Sequence, residues 1–193
     1  ERAEIKDIIS YLRVLSNPYD DFSLIRIINK PKRGIGKASI EKLQKAAFDT
    51  QMSLFEHIEK SIRGEVESVV SKKVSTSLAK LVEDIKLLQD AVVNELGNFI
   101  TLFEEHIKLK DHYAGMVDGM DRILNIDEFY GYFRDAVIKN PDLTLDEFLN
   151  DNSSETISKL QAIVIGSNWF NNSSFFNNYY SIKHEENESI EIT

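Results

Sequence analysis

The chain has 193 residues, 42% of them hydrophobic, and a formal net charge of −9, so it can bury a real core and is near the length of one domain with room for an appendage. It has no cysteine, which excludes a disulfide framework and a thiolate zinc site and fits a reducing, intracellular setting. No apolar run approaches the roughly 20 residues of a membrane-spanning helix, so no membrane partner is expected.

Ile5, Ile8, Ile9, Leu12 and Leu15 recur at helical spacing and predict an amphipathic helix over 1–16, stopped by "SNP". This opening is not a signal peptide. A helical rhythm already running at residue 1, with no initiator Met, points to a piece of a longer protein. Asp20 or Asp21 is placed to cap a short second helix carrying Phe22, Leu24, Ile25, Ile27 and Ile28, which must end before Pro31 because the residue preceding a proline is pushed out of the α region. A third helix begins after Gly36 with Ile40, Leu43, Ala47 and Phe48 on one face, and Ser53 caps a fourth around Leu54, Phe55 and Ile58. Val74, Leu78, Leu81, Val82, Ile85 and Leu88 give the longest apolar stripe. Residues 98–110 and 118–139 read as further helices, and "NPDLTLDEFL" as a short one capped by Thr144 or Asp142. No alternation before residue 160 argues for a strand. The expected fold is all-α: an irregular multi-helix domain over 1–158, followed by a loop-like or poorly ordered tail.

That tail, 159–193, is rich in Asn, Ser and aromatics, a composition that more often means disorder than a folded unit. "LQAIVIG" within it is strand-like or buried in character, and the closing "IEIT" reads as the start of a strand. The N-x-S/T matches at Asn152, Asn171, Asn172 and Asn187 are chance without a secretion signal.

The charge is unevenly placed. Between Arg26 and Lys45 lie seven basic residues, Arg26, Lys30, Lys32, Arg33, Lys37, Lys42 and Lys45, against the single acid Glu41. That local balance of +6 leaves −15 for the rest of the chain, so the basic segment seeks an anion that the remaining surface repels. Gly34 and Gly36 flank the apolar Ile35 between two short helices, the core of a helix-hairpin-helix. The glycines permit positive φ and close backbone approach, Ile35 plugs the space between the helices, and the amides opening the next helix point outward. A phosphate is the natural guest. Lys32, Arg33 and Lys37 would neutralise adjacent phosphates, and Ser39 can donate a hydroxyl hydrogen bond. Such contacts grip backbone rather than bases, so binding would be sequence-independent and steeply salt-dependent.

Competing readings are weaker. A lone G-x-G also fits a tight turn with a solvated basic rim. "GIGKAS" is not a nucleotide P-loop: Pro31 stands where the first glycine belongs, Ala38 follows Lys37 in place of Ser or Thr, and no strand precedes it. His57, His106, His112 and His184 lack metal-ligand spacing and sit among polar neighbours typical of a helix surface. The acidic pairs Asp20–Asp21 and Glu104–Glu105 are explained by caps and solvated faces. Trp169, Phe175, Phe176, Tyr179 and Tyr180 can stack on bases, though a partly buried or aggregation-prone segment accounts for them as well. No catalytic constellation and no cofactor site is expected in these residues.

The stretch "ERAEIKDIISYLRVLSNPYDDFSLIRIINKPKRGIGKASIEKL" resembles the opening of the 2B subdomain of UvrD/PcrA/Rep-type superfamily 1 helicases. The match runs through Arg2, Glu4, Ile5, Lys6 and Asp7; Tyr11, Leu12 and Arg13; Asn17, Pro18, Asp20 and Asp21; Arg26, Ile27 and Asn29; and Pro31, Arg33, Gly34, Ile35 and Gly36. "RILNIDEF", from Arg122 to Phe129, resembles the family's "R-x-ENIDEF" with Leu124 in place of Glu. The resemblance implies a mostly helical insertion in an ATP-driven 3′-to-5′ DNA helicase of repair, recombination or replication. ATP and Mg would serve the parent, not these residues. It implies a hairpin of Gly34, Ile35 and Gly36 on the duplex ahead of the fork, with Arg33, Lys37 and Ser39 on phosphates. Double-stranded or forked DNA and the rest of the helicase chain are the expected partners. An alternative is a protein-interaction or autoinhibitory module contacting the helicase core or a recombination partner. The Asn-rich tail matches nothing in bacterial members, so the expected location is the bacterial cytoplasm, or the nucleus or mitochondrion of a eukaryote.

Overall fold

A computed structural model describes residues 2–150. The expected boundary at 158, the tail, its strand-like "LQAIVIG" and "IEIT", its aromatics and His184 lie outside the described residues. Ala3–Asp151 forms one compact unit. Its described residues fold as α1 (Ala3–Ser16), α2 (Asp21–Ile27), α3 (Lys37–Asp49), α4 (Leu54–Ile62), α5 (Lys72–Asn94), a 3-10 turn (Leu96–Asn98), α6 (Phe99–Ile107), α7 (Leu109–Ala114), α8 (Gly119–Lys139) and α9 (Leu145–Asn150). They contain no strand, and the fold class is all-α. Among them, no helix is long and apolar enough to cross a membrane.

The helix starts follow from local chemistry. Asp20 caps α2, its carboxylate accepting from the Ser23 amide at 3.0 Å and the Ser23 hydroxyl at 2.6 Å. Its neighbour Asp21 instead accepts from the Leu54 amide at 2.8 Å, tying α2 to the start of α4. Ser53 and Ser71 cap α4 and α5. Thr144 and Glu147 form a reciprocal capping box at α9, at 3.1 and 2.9 Å.

Helix α1 sits at the centre, packed against α2, α5, α8 and α9. Its Ile5, Ile8, Tyr11, Leu12, Val14 and Leu15 are buried, and so are Glu4, Asp7 and Ser10 on what the sequence presents as its polar side. Tyr11 meets Phe103 of α6 edge-on at 5.3 Å, and Phe99, Phe133 and Phe148 continue the aromatic cluster toward α9. Edge-to-face pairs of this kind add about 0.5–1.5 kcal/mol each beyond the area they bury.

Three expectations are revised. The helix expected over 98–110 is broken at Lys108, which adopts a left-handed conformation with φ 56°. Glu104 holds the break by accepting from the Lys108 amide with its carbonyl and from the Lys110 amide with its side chain. Phe22, counted among the apolar residues of α2, and Phe48, placed on one face of α3 with Leu43 and Ala47, are 71% and 83% exposed. His57, expected on a helix surface, is 2% exposed in α4, and its Nδ1 has no hydrogen-bond partner.

Burial pushes the His57 pKa down, so the folded chain holds it neutral. The unfolded chain takes up the proton near the ordinary value of about 6.5. The unfolded state then binds more protons, and stability is lost as pH falls from that value through the lowered folded one. A His57→Leu variant should therefore show a smaller loss of urea midpoint between pH 7 and pH 5 than the parent, and equal losses would contradict the assignment.

Candidate nucleic-acid interface

The link from α2 to α3 is built from a few side chains. Gly34 has φ +72°, a left-handed conformation in which glycine avoids the Cβ penalty. Gly36 is different: it is the N-cap of α3 with φ −81° and ψ 171°, extended backbone open to any residue, and a Cβ there would meet nothing within 4 Å. No side chain caps α3, so its first amides face outward beside the exposed Gly36, Lys37 and Ala38. Ile35, between the glycines, is 0% exposed and anchors the loop in the core. Ser39 is half-buried in the first turn, its amide bonded to the Gly36 carbonyl at 3.0 Å.

Much of the charge counted in this segment is spent inside the fold. Arg26 Nε and Lys30 Nζ lie 2.8 and 3.3 Å from the same oxygen of Asp7, a carboxylate with no exposure. Arg33 turns its guanidinium inward: Nη1 donates to the carbonyls of Ile27, Pro31 and Ile28 at 3.0, 3.2 and 3.4 Å, and Nη2 to the Tyr11 hydroxyl at 2.7 Å. Lys45 stays at the surface, paired with Asp49 at 2.6 Å. Lys32 and Lys42 are exposed. Lys37 is exposed too, 3.8 Å from Glu41. The outward cationic face is thus narrower than the sequence suggests, with Lys32 and Lys37 on either side of Gly34–Gly36.

Two residues to which the sequence reading assigned no role shape this loop. The Asn29 side-chain carbonyl accepts from the amides of Arg33 at 2.7 Å and Ile35 at 3.2 Å. Tyr11, reaching over from α1, donates to the Lys30 carbonyl. An Asn at the mouth of a loop is a known turn former, so Asn29 carried a legible signal. Tyr11 carried none, because its helical spacing marks it only as core.

Residues 1–166 match the model of the UvrD-like helicase C-terminal domain. The chain belongs to the UvrD-like helicase C-terminal domain family. It is 36% identical over 161 residues to an ATP-dependent DNA helicase PcrA of Bacillus subtilis, covering 78% of this chain and 20% of that one. A Staphylococcus epidermidis PcrA is likewise 36% identical over 161 residues, covering 78% and 21%, and a Staphylococcus aureus PcrA 35% over 162, also covering 78% and 21%. The chain thus spans about a fifth of the length of these relatives.

The two stretches that resemble UvrD-like helicases meet in space. Glu4 of the first is 1% exposed and accepts from Arg122 Nη1 at 3.0 Å and Asn125 Nδ2 at 2.7 Å, both from the second. Arg122 also pairs with Asp118 at 2.9 Å and lies over the Tyr113 ring at 5.3 Å. Tyr113 donates its hydroxyl to Asp7, and its pKa is pushed up by burial first and that hydrogen bond second. One polar network thereby runs from α8 through α1 to the root of the glycine loop.

Proposed function

We propose that this UvrD-like domain is a regulatory, non-catalytic subdomain of an ATP-dependent 3′-to-5′ DNA helicase, and that its glycine loop grips backbone phosphates of duplex or forked DNA. The observation that carries the reading is the uncapped start of α3 at Gly36, where open amides, a missing side chain and flanking lysines coincide. A phosphate approaching Gly36 finds backbone donors, the positive end of the helix dipole and two exposed cations. None of these groups reads a base, so the grip is indifferent to sequence. The relatives are named as ATP-dependent DNA helicases, and ATP and Mg belong to that parent activity. The reading places the chain with intracellular DNA.

The test is a salt series with labelled duplex DNA and the full chain. The logarithm of the affinity should fall linearly with the logarithm of salt, by about 0.9 per phosphate neutralised. Lys32→Ala and Lys37→Ala should each lower that slope by about one. Salt-independent binding, or slopes unchanged in both variants, would sink the assignment.

A second reading, a protein-contact module touching the helicase core or a recombination partner, is favoured by one observation. Val117, Met120 and Leu124, at the α7–α8 turn and on α8, are 110%, 72% and 59% exposed. Partner capture that survives the lysine changes but is lost in Met120→Asp with Leu124→Asp would support it.

A further inference from the structure

We propose that Arg33 is a positioning residue of the loop and not one of its phosphate contacts: with Tyr11 and Asn29 it holds the loop from inside in the shape that presents Gly36. This rests on the reading that the loop grips duplex DNA. The guanidinium already has protein acceptors on two sides, the carbonyls of Ile27, Ile28 and Pro31 on one and the Tyr11 hydroxyl on the other. For Nη1 to reach a phosphate it would have to leave the three carbonyls.

Tyr11 completes the latch because it has no exposure, accepts from Arg33 and donates to the Lys30 carbonyl. Its pKa is pushed up to about 12, chiefly by burial, so the hydroxyl keeps its proton at any working pH. On the opposite side Asn29 accepts from the amides of Arg33 and Ile35. The segment from Lys30 to Ile35 is thus held at its carbonyls by Tyr11 and Arg33, and at its amides by Asn29. The latch needs a planar fork with donors on two nitrogens, which a lysine ammonium cannot reproduce. Charge and shape are therefore separable at this position.

The test compares the wild-type chain with Arg33→Lys, Tyr11→Phe and Lys32→Ala, reading amide hydrogen exchange at Arg33 and Ile35 without DNA and duplex affinity across a salt series. Arg33→Lys keeps the charge, and Tyr11→Phe keeps the buried ring. Both should speed exchange at the two amides and weaken duplex binding, each by about tenfold, while helical circular dichroism is kept. Lys32→Ala should leave exchange unchanged while it weakens duplex binding and lowers the salt slope by about one. Wild-type exchange and affinity in Arg33→Lys, with a unit of slope lost in Arg33→Ala, would make Arg33 a phosphate contact and overturn the proposal. If the wild-type chain binds no duplex while Arg33→Lys and Tyr11→Phe still free the amides, the DNA reading falls and the positioning role stands.

Discussion

Replacing Asp7 with Ala is expected to destabilise the chain by about 3–5 kcal/mol, the usual cost of removing one partner from a buried ion pair. Asp7 has no exposure and serves Arg26, Lys30 and the Tyr113 hydroxyl together. Its removal leaves two cations with side-chain exposures of only 27% and 38% facing no counter-charge, and a buried hydroxyl with no acceptor. Urea unfolding should show the loss as a lower midpoint at unchanged slope, and the melting temperature should fall by roughly 2–4 °C per kcal/mol. Most of the penalty belongs to the stranded charges rather than to the lost attraction. Adding Arg26→Met to Asp7→Ala should therefore recover part of the stability, a coupling that a double-mutant cycle measures. A loss below about 1 kcal/mol for Asp7→Ala would mean that water reaches the site and the network is a surface one.

Asp7 also shows where sequence reading stops. The period of Ile5, Ile8, Leu12 and Leu15 located α1 correctly, because helical spacing depends only on neighbours along the chain. The same pattern left Glu4 and Asp7 off the apolar stripe, and the fold buries both. Their partners Arg26, Lys30, Arg122, Asn125 and Tyr113 come from helices or a loop 19 to 121 residues away, and no local rule announces such a pairing. The family resemblance flagged these letters without a physical reason, and the buried network supplies one. The break at Lys108 was illegible for a similar cause: lysine is a good helix former, and the turn depends on Glu104 reaching forward to the Lys110 amide. The glycine loop was the converse case. The turn at Gly34, the apolar plug at Ile35 and the start of α3 were legible because turn chemistry is local, whereas the positive φ permitted at Gly36 is not used. The outward cationic charge was not, since counting lysines and arginines cannot tell a solvated ammonium from a guanidinium bonded to carbonyls.

Gly36 gives the sharpest separation of fold from function. Gly34→Ala would force a side chain into φ +72° and cost about 1–2 kcal/mol, so any loss of binding would be tangled with loss of shape. At Gly36 the backbone suits any residue and a Cβ meets open space, so the fold makes no demand for glycine. Asp is among the best N-cap residues, and its carboxylate would accept from the amides that now open α3. Gly36→Asp should therefore raise stability by about 0.3–1 kcal/mol. It should also occupy the donors proposed for phosphate and set a negative charge against the DNA. A hydrogen bond to a charged group is worth about 1.5–3 kcal/mol, so losing even one weakens duplex binding about ten- to a hundredfold. Gly36→Ser, which caps without charge, should weaken it less. Opposite signs for stability and binding at one residue are what an interface left open for a ligand produces, and a Gly36→Asp chain that binds duplex as tightly as the parent would move the phosphate grip elsewhere on the domain.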